Sequence, residues 1–165
     1  MFLQTERLYL RCLRSEDVPV IYSYRNDPDC AKFQRWEDPS YSSVADFVKK
    51  FSDCHFLSQQ EEQHYAICMH SGIFVGDLSY FYTESDHCIT FGITIAPDYQ
   101  RQGIAREILT AVISAVQKSY SQMDIVALID PENKASIALF EKLGFYRECY
   151  APSIRSYVYK IDGSR

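Results

Sequence analysis

The stretch from Cys88 to Ile129 constrains the fold more than any other part of the chain. Cys88 to Ile95 reads as a strand closed by Ala96-Pro97. Ile104, Ile108, Ala111, Val112 and Ala115 then recur at helical spacing, and Ile125 to Ile129 is a short apolar run ended by Asp130-Pro131. A strand, an amphipathic helix and a second strand in direct succession are the parts of a parallel crossover, since parallel neighbours cannot be joined by a tight turn.

The flanking segments add antiparallel pieces. Arg7 to Leu13 alternates as a strand, and Ser15 reads as the cap of a helix running to about Asn26, stopped by Asp27-Pro28. Ser43 to Leu57 carries Val44, Phe47, Val48 and Phe51 on one helical face. Tyr65 to Met69 and Phe74 to Tyr82 read as strands joined by a turn at Ser71-Gly72. Lys134 to Leu143 reads as a helix ended by Gly144, and Val158 to Ile161 as a last strand. The order β-α-α-β-β-β-α-β-α-β predicts an α/β (or α+β) mixed sheet with helices on both faces. No repeat or linker divides it, so residues 1–165 are expected to form one domain.

With 47% hydrophobic and 24% charged residues, the composition is globular. No apolar run is long enough to span a bilayer, and the opening MFLQTERLYLR holds no signal-peptide core. The expectation is a soluble, cytoplasmic protein with no membrane partner. Six scattered cysteines without a CxxC pair read as reduced, mostly buried thiols and not as a metal site. A net charge of −5 lacks the basic footprint of nucleic-acid binding and mildly favours a cationic substrate.

Chemistry concentrates between the strand at 88–95 and its helix. Gln100-Arg101-Gln102-Gly103-Ile104-Ala105 places unpaired N–H groups and the positive end of a helix dipole where a pyrophosphate can sit. Gly103 lets phosphate oxygens approach the backbone, Ala105 stays small for the same reason, and Arg101 and Arg106 add charge. Gly92 interrupts its strand and suggests a bulge, which would free backbone groups of Ile93 and Ile95 for an extended amide-bearing ligand such as pantetheine. Asn133, before the helix at 134–143, can cap that helix or bond a ligand.

Gln-x-x-Gly-x-Ala after a strand, followed by Asn133-x-x-Ser136 and Glu141-Lys142-Leu143-Gly144-Phe145, resembles the GCN5-related N-acetyltransferases. Thr5-Glu6-Arg7-Leu8-x-Leu10-Arg11 with Ser15-Glu16-Asp17 resembles the subgroup of ribosomal-protein N-terminal and spermidine acetyltransferases. The resemblance covers about residues 5 to 150. It implies a mostly antiparallel sheet with a parallel splay, acetyl-CoA as co-substrate held in the splay, no metal, and direct transfer to a primary amine. That amine would be a protein N-terminus, a polyamine or another small amine. Cofactor contacts would come from Ile93, Thr94, Ile95, Gln100, Arg101, Gln102, Gly103, Ile104, Ala105, Arg106, Asn133 and Phe140. Relatives often form homodimers, and the tyrosines near Tyr80-Phe81-Tyr82 and Tyr157 to Tyr159 offer a face for a twin.

Two departures from the family pattern stand out. Phe140 occupies the position where many relatives carry a proton-donating tyrosine; Ser136 resembles the serine given that role in the ribosomal-protein subgroup, which implies that it donates to, or hydrogen-bonds, the leaving thiolate. Thr90 stands where some relatives carry a basic glutamate, leaving Asp77, His64, Glu84 or a water chain as the base. The acceptor segment Asn26 to Tyr41 mixes acidic and aromatic residues, with Trp36 expected to pack inward. A catalytically silent acyl-CoA-binding module is the alternative. A plain nucleotide-binding domain is disfavoured by the missing Walker lysine and G-x-G-x-x-G.

Overall fold

The computed structural model describes residues 1–60 and 62–164. Glu61 and Arg165, both within the 1–165 range assigned to one domain, lie outside the described residues.

The described strands are β1 (Leu3–Gln4), β2 (Leu8–Cys12), β3 (Glu62–Met69), β4 (Phe74–Thr83), β5 (Cys88–Ile95), β6 (Asp124–Ile129), β7 (Tyr146–Ala151) and β8 (Ser156–Ile161). They form one sheet in the order β1-β2-β3-β4-β5-β6-β8-β7. Every neighbouring pair is antiparallel except β5 with β6, the crossover expected from residues 88–129. The helices are α1 (Val18–Arg25), α2 (Pro28–Ala31), α3 (Tyr41–Lys50), α4 (Ile104–Ser119) and α5 (Lys134–Lys142).

Side-chain alternation along β3 sets the two layers. Tyr65 and Ile67 point into a core shared with Ile104, Ile108, Val112 and Val116 of α4. Ala66 and Cys68 point into a second core with Ile21 and Tyr24 of α1 and Val44 and Val48 of α3. Helices therefore cover both faces.

Several local expectations are corrected. Ser15 does not cap α1: residues 15–17 form a 3-10 turn, and Asp17 accepts from the Arg14 backbone N–H at 2.8 Å. The Asp17 carboxylate is also held by Arg11 through two bonds of 2.7 and 2.8 Å, both residues being buried. The helix expected at 43–57 is α3: it begins earlier, at Tyr41, because the Ser40 hydroxyl accepts from the Ser43 N–H and caps it, and it ends at Lys50. Strand β7, absent from the expected order, has almost no buried residue, so no apolar alternation marks it.

The cysteines are corrected too. Cys12, at the end of β2, forms a disulfide with Cys54, just past α3, their Cα atoms 5.6 Å apart. Cys30, Cys68, Cys88 and Cys149 are free thiols, and of these only Cys68 is buried. Of the residues offered for a twin, Tyr80, Tyr82 and Tyr159 are buried in the core, whereas Phe81 and Tyr157 are half-buried. No helix among the described residues is long and apolar enough to cross a membrane.

Candidate active site

The site grows from a sheet that opens. β5 and β6 pair only from Cys88↔Asp124 to Phe91↔Ala127. On its other side, β5 stays paired with β4 through Ile95↔Gly76. Residues 92–95 thus lose their neighbour on the β6 side while keeping the one on the β4 side. The Ala96 N–H bonds Val75 on the β4 side at 2.8 Å. Backbone groups alternate along a strand, so those of Ile93 and Ile95 face the opening. The Gln100 amide donates to the Ile95 carbonyl at 2.9 Å across it.

No bulge accompanies Gly92, because the β4–β5 register runs through it without a shift. The glycine has another reason: a Cβ there would lie 2.5 Å from Ser79 Oγ on β4. Gly76, unnoticed in the sequence, is tighter still, since a Cβ would meet the Thr94 carbonyl oxygen at 2.2 Å.

Beyond the opening, the chain turns through a 3-10 segment at Pro97–Tyr99 into Gln100–Gly103. Arg101 (φ 61°) and Gly103 (φ 77°) both take left-handed conformations, and α4 follows at once. A left-handed residue followed by helical ones points successive N–H groups into one concavity. Among the described residues no side chain caps α4, which leaves its first N–H groups for an anion. Arg101, Gln102 and Arg106 are exposed around this concavity, whereas the Ile104 side chain is buried and offers the site only its backbone.

The Thr5-x-Arg7 pair holds the loop from beneath. Glu107 in the first turn of α4 accepts from the Thr5 hydroxyl (2.5 Å), the Arg7 N–H (2.9 Å) and the Arg7 guanidinium (2.6 Å). The same guanidinium donates to the Gln102 carbonyl at 2.9 Å. Burial pushes the Glu107 carboxyl upward, but these donors and the Arg7 charge outweigh it, and the net shift is downward.

Asn133 immediately precedes α5, the helix that follows β6, and Ser136 and Phe140 lie on it. Asn133 caps α5 by accepting from the Ser136 N–H at 3.2 Å. Ser136 is half-buried on the first turn, and Phe140 is buried edge-on against Phe145 at 5.0 Å.

A cavity of about 700 Å³ opens from residues 90–94 of β5 toward α1 and α3. Two of the candidate bases share it. Tyr24 donates to Asp77 Oδ1, and His64 Nε2 lies 2.9 Å from Glu62 Oε1. His64 Nδ1 is buried 3.8 Å from Asp77 Oδ2, so the carboxylate acts on it as a charge and not as a bonded acceptor. Burial depresses the His64 pKa, but the Asp77 and Glu62 carboxylates outweigh it and the net shift is upward. Burial, then Asp77, raises the Tyr24 hydroxyl well above its ordinary value. Glu84 lies apart, in the turn after β4, where it accepts from the Tyr82 hydroxyl at 2.5 Å. Thr90 lines the cavity wall. Trp36 packs on Tyr24 and also faces the cavity. Among the described residues no cluster of three or more His, Cys, Asp or Glu could hold a metal.

A sheet opened between parallel strands, beside an uncapped helix start, suits proteins that take an extended amide-bearing ligand ending in phosphates. The chain belongs to the GNAT acetyltransferases: the family model described as "Acetyltransferase (GNAT) domain" matches residues 7–146. The uncharacterized N-acetyltransferase YnaD of Bacillus subtilis strain 168 is 24% identical over 148 residues, covering 90% of this chain and 84% of its own. The [ribosomal protein bS18]-alanine N-acetyltransferase of Escherichia coli strain K12 is 36% identical over 78 residues, 47% of this chain and 50% of its own. Among solved structures, the microcin C7 self-immunity acetyltransferase MccE, in complex with acetyl-CoA and AMP, superposes with a TM-score of 0.78 at 16% identity. The match covers 96% of this chain and 93% of that one.

Proposed function

We propose that the chain acts as one acetyl-CoA-dependent N-acetyltransferase domain, moving the acetyl group directly to a primary amine in the cavity beside β5. The observation that carries this reading is the juxtaposition of the opened β5–β6 seam with an uncapped, left-handed entry into α4 on one side and the Asp77–His64 cavity on the other. In it, the N–H groups from Arg101 to Arg106, helped by the Arg101 and Arg106 charges, hold the pyrophosphate. Backbone groups of Ile93 and Ile95 pair with the pantetheine amides, as an added strand would. Thr94, Asn133 and Phe140 line its path.

The chemistry asks for a lone pair on the amine and a proton for the leaving thiolate. His64, flanked by Glu62 and Asp77, takes the proton released by the amine. Ser136 hydrogen-bonds the departing sulfur; a N–C bond forms, the S–C bond breaks, and one proton passes from nitrogen to sulfur overall.

Calorimetric titration with acetyl-CoA, ATP and NAD, followed by thiol release over a panel of amines, tests the proposal. Acetyl-CoA binding with turnover on at least one amine is expected. Binding without turnover on any amine identifies the silent acyl-CoA-binding module instead, and affinity for ATP alone would sink both.

A further inference from the structure

Arg25, the last residue of α1, is held in the cavity in a manner that asks for an anion. Its guanidinium carbon lies 4.2 Å from the Phe47 ring centroid and 5.3 Å from that of Trp36. The rings meet it by their faces, which give its in-plane N–H groups no hydrogen-bond acceptor. Its Nε is buried and has no hydrogen-bond partner, and among the described residues no carboxylate stands within ion-pair distance of it. A buried guanidinium donor left open is costly unless a ligand completes it.

The rest of the cavity limits what that ligand can be. Among the described residues Glu37, Asp38, Glu62, Asp77 and Asp130 also line it, against Arg25 and Arg35 as full cations. Arg35 already donates to Oγ of the buried Ser156 at 3.1 Å. A dianion such as a phosphate monoester would meet an excess of like charge. A polycation would suit the acids but would place charge against Arg25. A molecule with an amine at one end and a single carboxylate nearby satisfies both halves. The two ends need to be close, because His64 packs on the same Phe47 ring as Arg25, at 4.7 Å.

We infer that the acceptor is a small amine carrying its own carboxylate, of the α-amino-acid class, with Arg25 receiving the carboxylate while the amine faces His64 and Asp77. The inference rests on the acetyltransferase reading for the identity of the reaction, but the carboxylate site can be read without turnover.

The test uses the intact chain with α-amino acids of small, apolar and acidic side chains, each matched with its carboxamide, and with putrescine and spermidine. At least one amino acid is expected to exceed its carboxamide tenfold or more in kcat/KM. Arg25→Gln should bring that ratio within about twofold, with Arg25→Lys between. In parallel, the fluorescence of Trp36, the one tryptophan of the chain, is titrated with N-acetyl amino acids and their carboxamides in the presence of coenzyme A. Tighter binding of the carboxylates, lost in Arg25→Gln, supports the site even if no amine is acetylated, in which case only the transfer reading fails. Carboxamides or diamines equalling the amino acids in both assays overturn the inference and leave acetyl transfer standing. Should Arg25→Gln misfold by circular dichroism, the wild-type ratio and Arg25→Lys decide.

Discussion

His64 illustrates how one residue's surroundings set its use. Phe47 and Phe51 pack against its ring while Glu62 and Asp77 hold its edges. Its folded pKa is raised, so the stability gained from its charge is complete below the unfolded value of about 6.5 and is lost as pH rises through the folded value. Catalysis runs the other way, because a base must be neutral to accept a proton. We therefore expect kcat/KM to climb with pH through an apparent pKa above about 6.5. His64→Gln should lower kcat by 10²-fold or more and flatten that limb, while unfolding midpoints of the variant and wild type converge at alkaline pH. A pH profile of His64→Gln parallel to the wild type would reassign the base to Asp77 or solvent.

At the level of elements, the start of α4 is the part that ties fold to site. Glu107 gathers three donors from the segment before β2 and, through Arg7, steadies the Gln102 carbonyl of the loop. Removing it leaves the Arg7 backbone N–H and guanidinium without that acceptor. Glu107→Ala should cost about 2 kcal/mol of stability. It should also weaken acetyl-CoA binding several-fold, read by denaturant titration and calorimetry. Unchanged binding in a destabilised variant would show that the loop keeps its shape without this anchor.

The same element shows what was legible beforehand. β5 and α5 are closed by Pro97 and Gly144 and stand within a residue or two of their expected limits, and the helical spacing from Ile104 to Ala115 falls inside α4, which runs on to Ser119. The seam was legible only in part: Gly92 marked the place, but its cause is Ser79 packed against it and not a bulge. Gly76 and Arg25 gave no signal, because their meaning lies in partners far along the chain: the Thr94 carbonyl for Gly76, the Trp36 and Phe47 rings for Arg25. Asp77 and His64 were visible as candidates, yet only the β3–β4 pairing brings them side by side. β7 was missed because an edge strand wet on both faces needs no apolar alternation.

For the whole molecule, the Cys12–Cys54 link joins the end of β2 to the segment after α3 across 42 residues. Closing a loop of that length restricts the unfolded chain and is worth about 2–4 kcal/mol. Reduction with a thiol, or Cys54→Ser, should lower the unfolding midpoint by roughly 4 to 16 °C. Mass spectrometry of alkylated peptides under non-reducing conditions checks the pairing directly. Full alkylation of both cysteines without prior reduction would return the chain to the all-thiol state that its cysteine spacing suggested.

The opened seam between β5 and β6 has a mechanical meaning as well as a chemical one. Among the described residues four pairs, Cys88↔Asp124 to Phe91↔Ala127, join the strands from β1 to β5 to those from β6 to β8 by sheet pairing. A strand-like molecule lodged there would lengthen the suture between the two halves. Occupancy and cohesion then become one quantity, and the amides of Ile93 and Ile95 would be its gauge: fast to exchange with solvent when the seam is bare, slow when it is laced.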